Sequence, residues 1–223
     1  MSERETKVRH ARRVVWAAIG AALAMAAQPV ARADASTESA EAVVRQTVDD
    51  VLAILVNKDW PVDRRVSAIE KIAYDRFDFA TISRLVLARN YRRFSPEQRV
   101  EFEDQFKAHL SRSYGNRVDR YEQEKVDITG ARLEPRGDVT VLTRIVGGQA
   151  DGIEMNYRLR EREGAWRMID VVIEGVSLVS SFRSQFKEVV SQGGPELLLE
   201  RLKDKNSRFD LPEPSSDSTT GAS

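Results

Sequence analysis

The segment Trp166 to Phe186, WRMIDVVIEGVSLVSSFRSQF, constrains the fold more than any other part of the chain. It reads as a strand, a glycine turn and an amphipathic helix. Arg167, Ile169, Val171 and Ile173 alternate with Trp166, Met168, Asp170 and Val172, so both faces of the strand are largely apolar. A strand apolar on both sides is covered on both sides. Gly175 ends the run. Leu178, Val179, Phe182, Phe186, Val189 and Val190 then recur at helical spacing and form one apolar stripe. Gly193 and Gly194 mark the end of that helix, and Pro195 is placed to open another.

Upstream the pattern is helical. Ser36 to Asn57 carries Val44, Val48, Val51, Leu52 and Leu55 on one face. Pro61 starts a second helix with Val62, Val66, Ile69 and Ile72, and a short helix carries Ile82, Leu85 and Val86. Ser95-Pro96-Glu97-Gln98 is a capping box, and the long helix after it shows Phe102, Phe106, Leu110, Tyr114 and Val118. Strands are expected at Val126 to Leu133, Val139 to Val146, Ile153 to Arg160 and Trp166 to Ile173, separated by glycine-bearing turns. Short connections make them an antiparallel meander. The expected fold is therefore α+β: mostly helical, with a four-stranded meander packed against helices.

The first residues read as an address. A basic start precedes an apolar run, Val14 to Ala27, that is short for a transmembrane helix, and Ala31-Arg32-Ala33 fits a leader-peptidase site. The expected organisation is a signal peptide at 1–33, a single α+β domain at 34–205 and a disordered tail at 206–223. Removing residues 1–33 takes away six basic and two acidic side chains, leaving 29 against 33 and a net charge of −4. That balance implies no nucleic-acid surface. With no cysteine, an exported domain of this kind is held by core burial alone.

Catalytic chemistry finds little footing. His109 is the only histidine after residue 33, and Ser177 follows Gly175 without the second glycine of a nucleophile elbow. No catalytic residue, metal site or cofactor is expected. Asp170 interrupts a buried strand and needs a partner, for which Arg183 is the candidate. Arg158, Arg160 and Arg167 read as surface charges, and Glu174 as a solvated charge at the strand end.

Two blocks carry a family resemblance. Tyr157 and Leu159, Trp166, Asp170, Gly175 and Ser177, and Arg183, Gln185 and Phe186 follow in order; FDFATISRLVLARNYRRFSPEQRVEF, Phe77 to Phe102, precedes them. This set resembles the MlaC family of periplasmic lipid carriers, also known as toluene tolerance or ABC-transporter auxiliary proteins. Tyr91 stands where the family often has Trp. The resemblance spans roughly Val43 to Leu202. It implies a cone similar to the nuclear-transport-factor-two superfold, enclosing an apolar cavity for lipid acyl chains. It also implies a periplasmic phospholipid carrier in an Mla-type system. The partners would be an inner-membrane MCE-domain subunit of an ABC transporter and an outer-membrane lipoprotein complex. Hopanoid carriers of the HpnM type, and an envelope interaction module with a filled core, are the alternatives.

The residues themselves leave open whether the apolar faces pack on one another or leave a cavity. If a cavity exists, the expected cargo contacts are Val141, Ile145, Met155, Tyr157, Ile169, Val171, Leu178, Phe182 and Phe186. Strand alternation groups Met155 with Tyr157 and Ile169 with Val171; helical spacing aligns Leu178, Phe182 and Phe186.

Overall fold

Capping chemistry fixes most of the helix starts in the computed structural model, which describes residues 28–115 and 121–209. Helix α1 spans Gln28–Val56. Helix α2, Val62–Arg76, follows Pro61, whose φ of −54° suits the entry to a helix. Helix α3, Phe79–Leu87, is capped by Asp78, which accepts the Thr81 N–H at 2.8 Å and the Thr81 hydroxyl at 2.6 Å. Helix α4, Pro96–Gly115, opens on the expected box: the Gln98 N–H donates to Ser95 Oγ at 3.2 Å, and the Ser95 N–H donates to Gln98 Oε1 at 3.0 Å.

Strands β1 (Lys125–Leu133), β2 (Val139–Val146), β3 (Met155–Arg162) and β4 (Ala165–Ile173) form the antiparallel meander. A fifth strand joins them: β5, Val176–Ser177, in a sheet of order β1-β2-β3-β4-β5. The β4–β5 turn is Glu174-Gly175, with φ of 48° and 77°. Both central residues of a two-residue hairpin loop of this hand need positive φ, which is why glycine stands there. Glu174 is not merely solvated, since its Oε1 accepts the Glu154 N–H at 2.6 Å. Helix α5, Leu178–Phe209, follows at once and breaks at Gly193 and Gly194, where Gly194 reaches φ 75° ahead of Pro195.

The hydrophobic residues collect in two clusters. The first is helical and aromatic: Phe102 stacks on Phe106 at 5.5 Å between ring centroids, and Phe186 meets both edge-on at 5.7 and 5.4 Å. Leu198, Leu199 and Leu202, beyond the break in α5, close this cluster. The second cluster seats Ala40 and Val44 of α1 against Val139, Val141, Leu159 and Met168 of the sheet.

Several expectations change. The partner of Asp170 is not Arg183, whose Nε donates to the Leu85 carbonyl at 2.8 Å. Asp170 instead accepts the Ser177 hydroxyl at 2.6 Å and the Val179 N–H at 3.1 Å, with Arg158 Nη1 at 3.8 Å. Arg160 is likewise no free surface charge, for it forks onto Asp138 at 2.7 and 2.8 Å. The last helix continues past residue 205 to Phe209, because the Asn206 side chain is buried and donates to the Gln105 carbonyl at 2.9 Å. Residues 210–223 of the expected tail, Val118 of the long apolar stripe, and residues 1–27 of the expected leader lie outside the described residues. The expected cleavage site at Ala31 to Ala33 falls within α1.

Candidate ligand cavity

Helix α2 shows that the interior is not filled. Its apolar stripe, Val66, Ile69, Ile72 and Ala73, is only partly buried, and Arg65 is its one buried residue. Protein interiors are normally packed as densely as organic crystals, so a core-facing stripe without full burial borders a void. That void is a cavity of about 420 Å³ between the helices and the sheet. Its size lies within the range of about 300–1,000 Å³ common for small-molecule sites.

Each element contributes in register with its own periodicity. Helix α1 gives Thr47 and Val51, one turn apart, and α2 gives its stripe with Tyr74. Phe77 and Phe79, Ile82 and Val86 come from the α2–α3 corner and α3; Phe106 and Leu110 come from α4. Leu178, Val179 and Phe182 form the first turns of α5. On the sheet, Met155 and Tyr157 of β3 pair with Ile173 and Val171 of β4, and all four line the cavity.

Five of the nine residues expected at a cargo site line this cavity: Met155, Tyr157, Val171, Leu178 and Phe182. Four do not. Val141 is fully buried in the second cluster, and Phe186 is buried in the aromatic one. Ile145 is half-buried further along β2, where it pairs with Val126. Ile169 is buried away from the lining because of a bulge: Arg158 pairs with Asp170 and Leu159 with Met168, leaving Ile169 without a partner. The extra residue shifts the strand phase. Met168, not Ile169, therefore shares the cavity face with Val171 and Ile173. The helical contacts from α1 to α4 were readable as apolar stripes, yet nothing local to those stripes separates a filled face from an open one.

Polar groups are few and most are held. The Tyr157 hydroxyl donates to Met155 Sδ at 3.2 Å, and burial pushes its pKa up to about 12. Asp170 is taken up by the start of α5. The Ser111 hydroxyl donates to Glu70 across the gap between α4 and α2. Burial, then the Glu70 charge, raises the pKa of Tyr74. Lys107 pairs with Glu103 at 2.8 Å and lies 5.5 Å from the centre of the Phe79 ring. His109 is not among the lining residues; burial, then the Lys205 charge, lowers its pKa. Among the described residues no cluster of three or more His, Asp or Glu could hold a metal ion, and no helix is long and apolar enough to cross a membrane.

The residues that carry the resemblance mostly build the frame. Ser177 caps α5 by accepting the Ser180 N–H at 3.0 Å while donating to Asp170. Arg99 lies 4.4 Å from the centre of the Tyr91 ring and donates to the Tyr91 carbonyl at 3.2 Å. Only Tyr157 and Asp170 of the quoted motif residues in the second block reach the lining.

Comparison with known proteins agrees with this architecture. The family described as MlaC protein matches residues 45–204. The chain is 25% identical over 131 residues to the toluene tolerance protein ttg2D of Pseudomonas putida; the match spans 58% of this chain and 61% of that relative's length. It superposes with a TM-score of 0.70 on a phospholipid-binding protein from Ralstonia solanacearum solved in complex with a phospholipid. That match is 25% identical and covers 78% of this chain and 99% of the other.

Proposed function

This chain belongs to the MlaC family, and from that premise we propose that it is a periplasmic phospholipid carrier. It takes lipid between an outer-membrane lipoprotein complex and an inner-membrane ABC transporter, docking there on the MCE-domain subunit. The observation that carries the reading is the apolar cavity of about 420 Å³ between sheet and helices. The Ralstonia solanacearum protein of similar fold, solved with a phospholipid, supports the choice of cargo. The chain acts as a carrier without turnover: His109 lies off the cavity, and Asp170 is engaged by the backbone and hydroxyl that begin α5.

The physics of such a carrier is a near balance. Each acyl methylene buried in the cavity gains about 0.8 kcal/mol relative to water. A bilayer supplies nearly the same gain. Net transfer between membrane and protein is therefore a small difference of large terms, and the protein equilibrates lipid without setting its direction. Direction comes from partners that favour the loaded or the empty form, or from ATP spent by one of them. Mass spectrometry of the organic extract from the purified periplasmic protein tests the reading. Phospholipid in a fixed stoichiometry is expected. Hopanoid in its place would change the cargo, and a lipid-free protein that cannot be loaded from vesicles would remove the carrier reading.

A further inference from the structure

Apart from Thr47 on α1 and Tyr157 and Asp170 on the sheet, the polar side chains lining the cavity gather in one strip between α2 and α4. Lys107 and Ser111 come from α4, Glu70 and Tyr74 from α2, and the Ser111 hydroxyl bridges to Glu70. The strip reaches water: Tyr74 is 43% exposed, and the side chains of Lys107 and Glu103 are each 27% exposed. Lys107 is the only basic side chain lining the cavity among the described residues. A charged group beside an apolar void keeps its head where solvent can reach it. The strip is therefore the wet end of the cavity. The sheet wall is the drier one: the Tyr157 hydroxyl has the thioether of Met155, and Asp170, 4% exposed, is taken up by Ser177 and Val179.

An amphiphile in such a cavity lies with its chains toward the sheet and its polar group at the strip. Resting on the phospholipid-carrier reading, we propose that Lys107 anchors the phosphodiester of the cargo at the gap between α2 and α4. An ammonium offers three donors, and the Glu103 carboxylate occupies one side of this one. The Phe79 ring below and the i,i+4 pairing with Glu103 limit where the side chain can go, so the charge is already placed when lipid arrives. The phosphodiester is common to all glycerophospholipids. The contact selects lipids that carry phosphate over neutral lipids of the same chains, and does not sort one headgroup alcohol from another.

The test compares retention of a phospholipid bearing a pyrene-labelled chain with retention of the diacylglycerol of the same chains, in the full protein. Lys107→Met keeps the stem and removes the charge. It is expected to weaken phospholipid retention roughly fivefold and to leave diacylglycerol retention unchanged, as fits one partly exposed ionic contact. Glu103→Gln, which frees the ammonium, is expected to strengthen phospholipid retention alone, and it decides the matter if the first variant does not fold. Equal loss of both lipids, or no loss of either, overturns the anchor. Displacement of the phospholipid by millimolar inorganic phosphate would identify the strip as a free-phosphate site and likewise overturn it. Failure of the wild type to retain any phospholipid sinks the carrier reading itself, a result distinct from these.

Discussion

The Asp170 carboxylate accepts the Val179 N–H at 3.1 Å, so a residue of β4 caps the first turn of α5. Asp170 is 4% exposed and its second oxygen takes the Ser177 hydroxyl. Donors from β5 and from α5 thus meet on one side chain of β4. Asp170→Ala strips the acceptor from both donors and is expected to cost about 1–3 kcal/mol, read as a fall in urea midpoint. Asp170→Asn keeps one carbonyl oxygen and is expected to lose less. Equal stability of all three proteins would show that the cap contributes nothing.

Val171 and Val141 both belong to the sheet, but one lines the cavity and the other is sealed in the core. On the carrier reading, Val171→Trp is expected to displace cargo with little change in Tm, because the ring would enter space that lipid would otherwise fill. Val141→Trp overpacks and is expected to cost at least about 1–3 kcal/mol while lipid per folded molecule holds constant. Measuring bound lipid and Tm together separates the two. A matching loss of Tm in both variants would place Val171 in a filled core.

Much of this division was readable from the chain. The reciprocal bonds of Ser95 and Gln98 follow from their spacing, and alternation put Met155 and Tyr157 on one face. Ile169 escaped because one extra residue between Met168 and Asp170 reverses the strand phase, and no residue type announces that bulge. Phe182 and Phe186 share a stripe one turn apart, yet the first borders the void and the second meets Phe102 and Phe106. Val66, Ile69 and Ile72 read simply as a packing face. A hydrophobic period says which side of a helix leaves water, not whether protein or cargo meets it.

Acid should loosen the fold through Asp78. Burial acts to raise its pKa, but hydrogen bonds from Thr81 and from Arg162 outweigh that and hold the carboxyl below its ordinary value of 3.8. The folded value is the lower one, so its contribution is complete above the unfolded pKa near 4 and is lost as pH falls through the folded value. The urea midpoint of the wild type is expected to drop as pH falls below about 4. Asp78→Asn should be less stable near neutrality and should show a shallower acid decline. A variant with an undiminished acid decline would assign the effect elsewhere.

Export processing is expected to cut after Ala33, leaving α1 from Asp34 onward. Ala40 and Val44, both fully buried against the sheet, lie beyond the cut and stay with the folded domain. Intact-mass measurement of the protein recovered from the periplasmic fraction checks this. A membrane-bound species retaining Val14 to Ala27 would refute it.

Phe77 packs against both hydrophobic clusters, the only described residue to do so, and it also lines the cavity. Its backbone bridges to Met168, and the Asp78 N–H beside it donates to the Met168 carbonyl at 2.9 Å. The two clusters thus meet on this one side chain, and the Asp170–Val179 bond ties the sheet to the helical cluster a second time. On the carrier reading, cargo and fold would share Phe77: whatever moves that ring alters the cavity and the contact between the two clusters together.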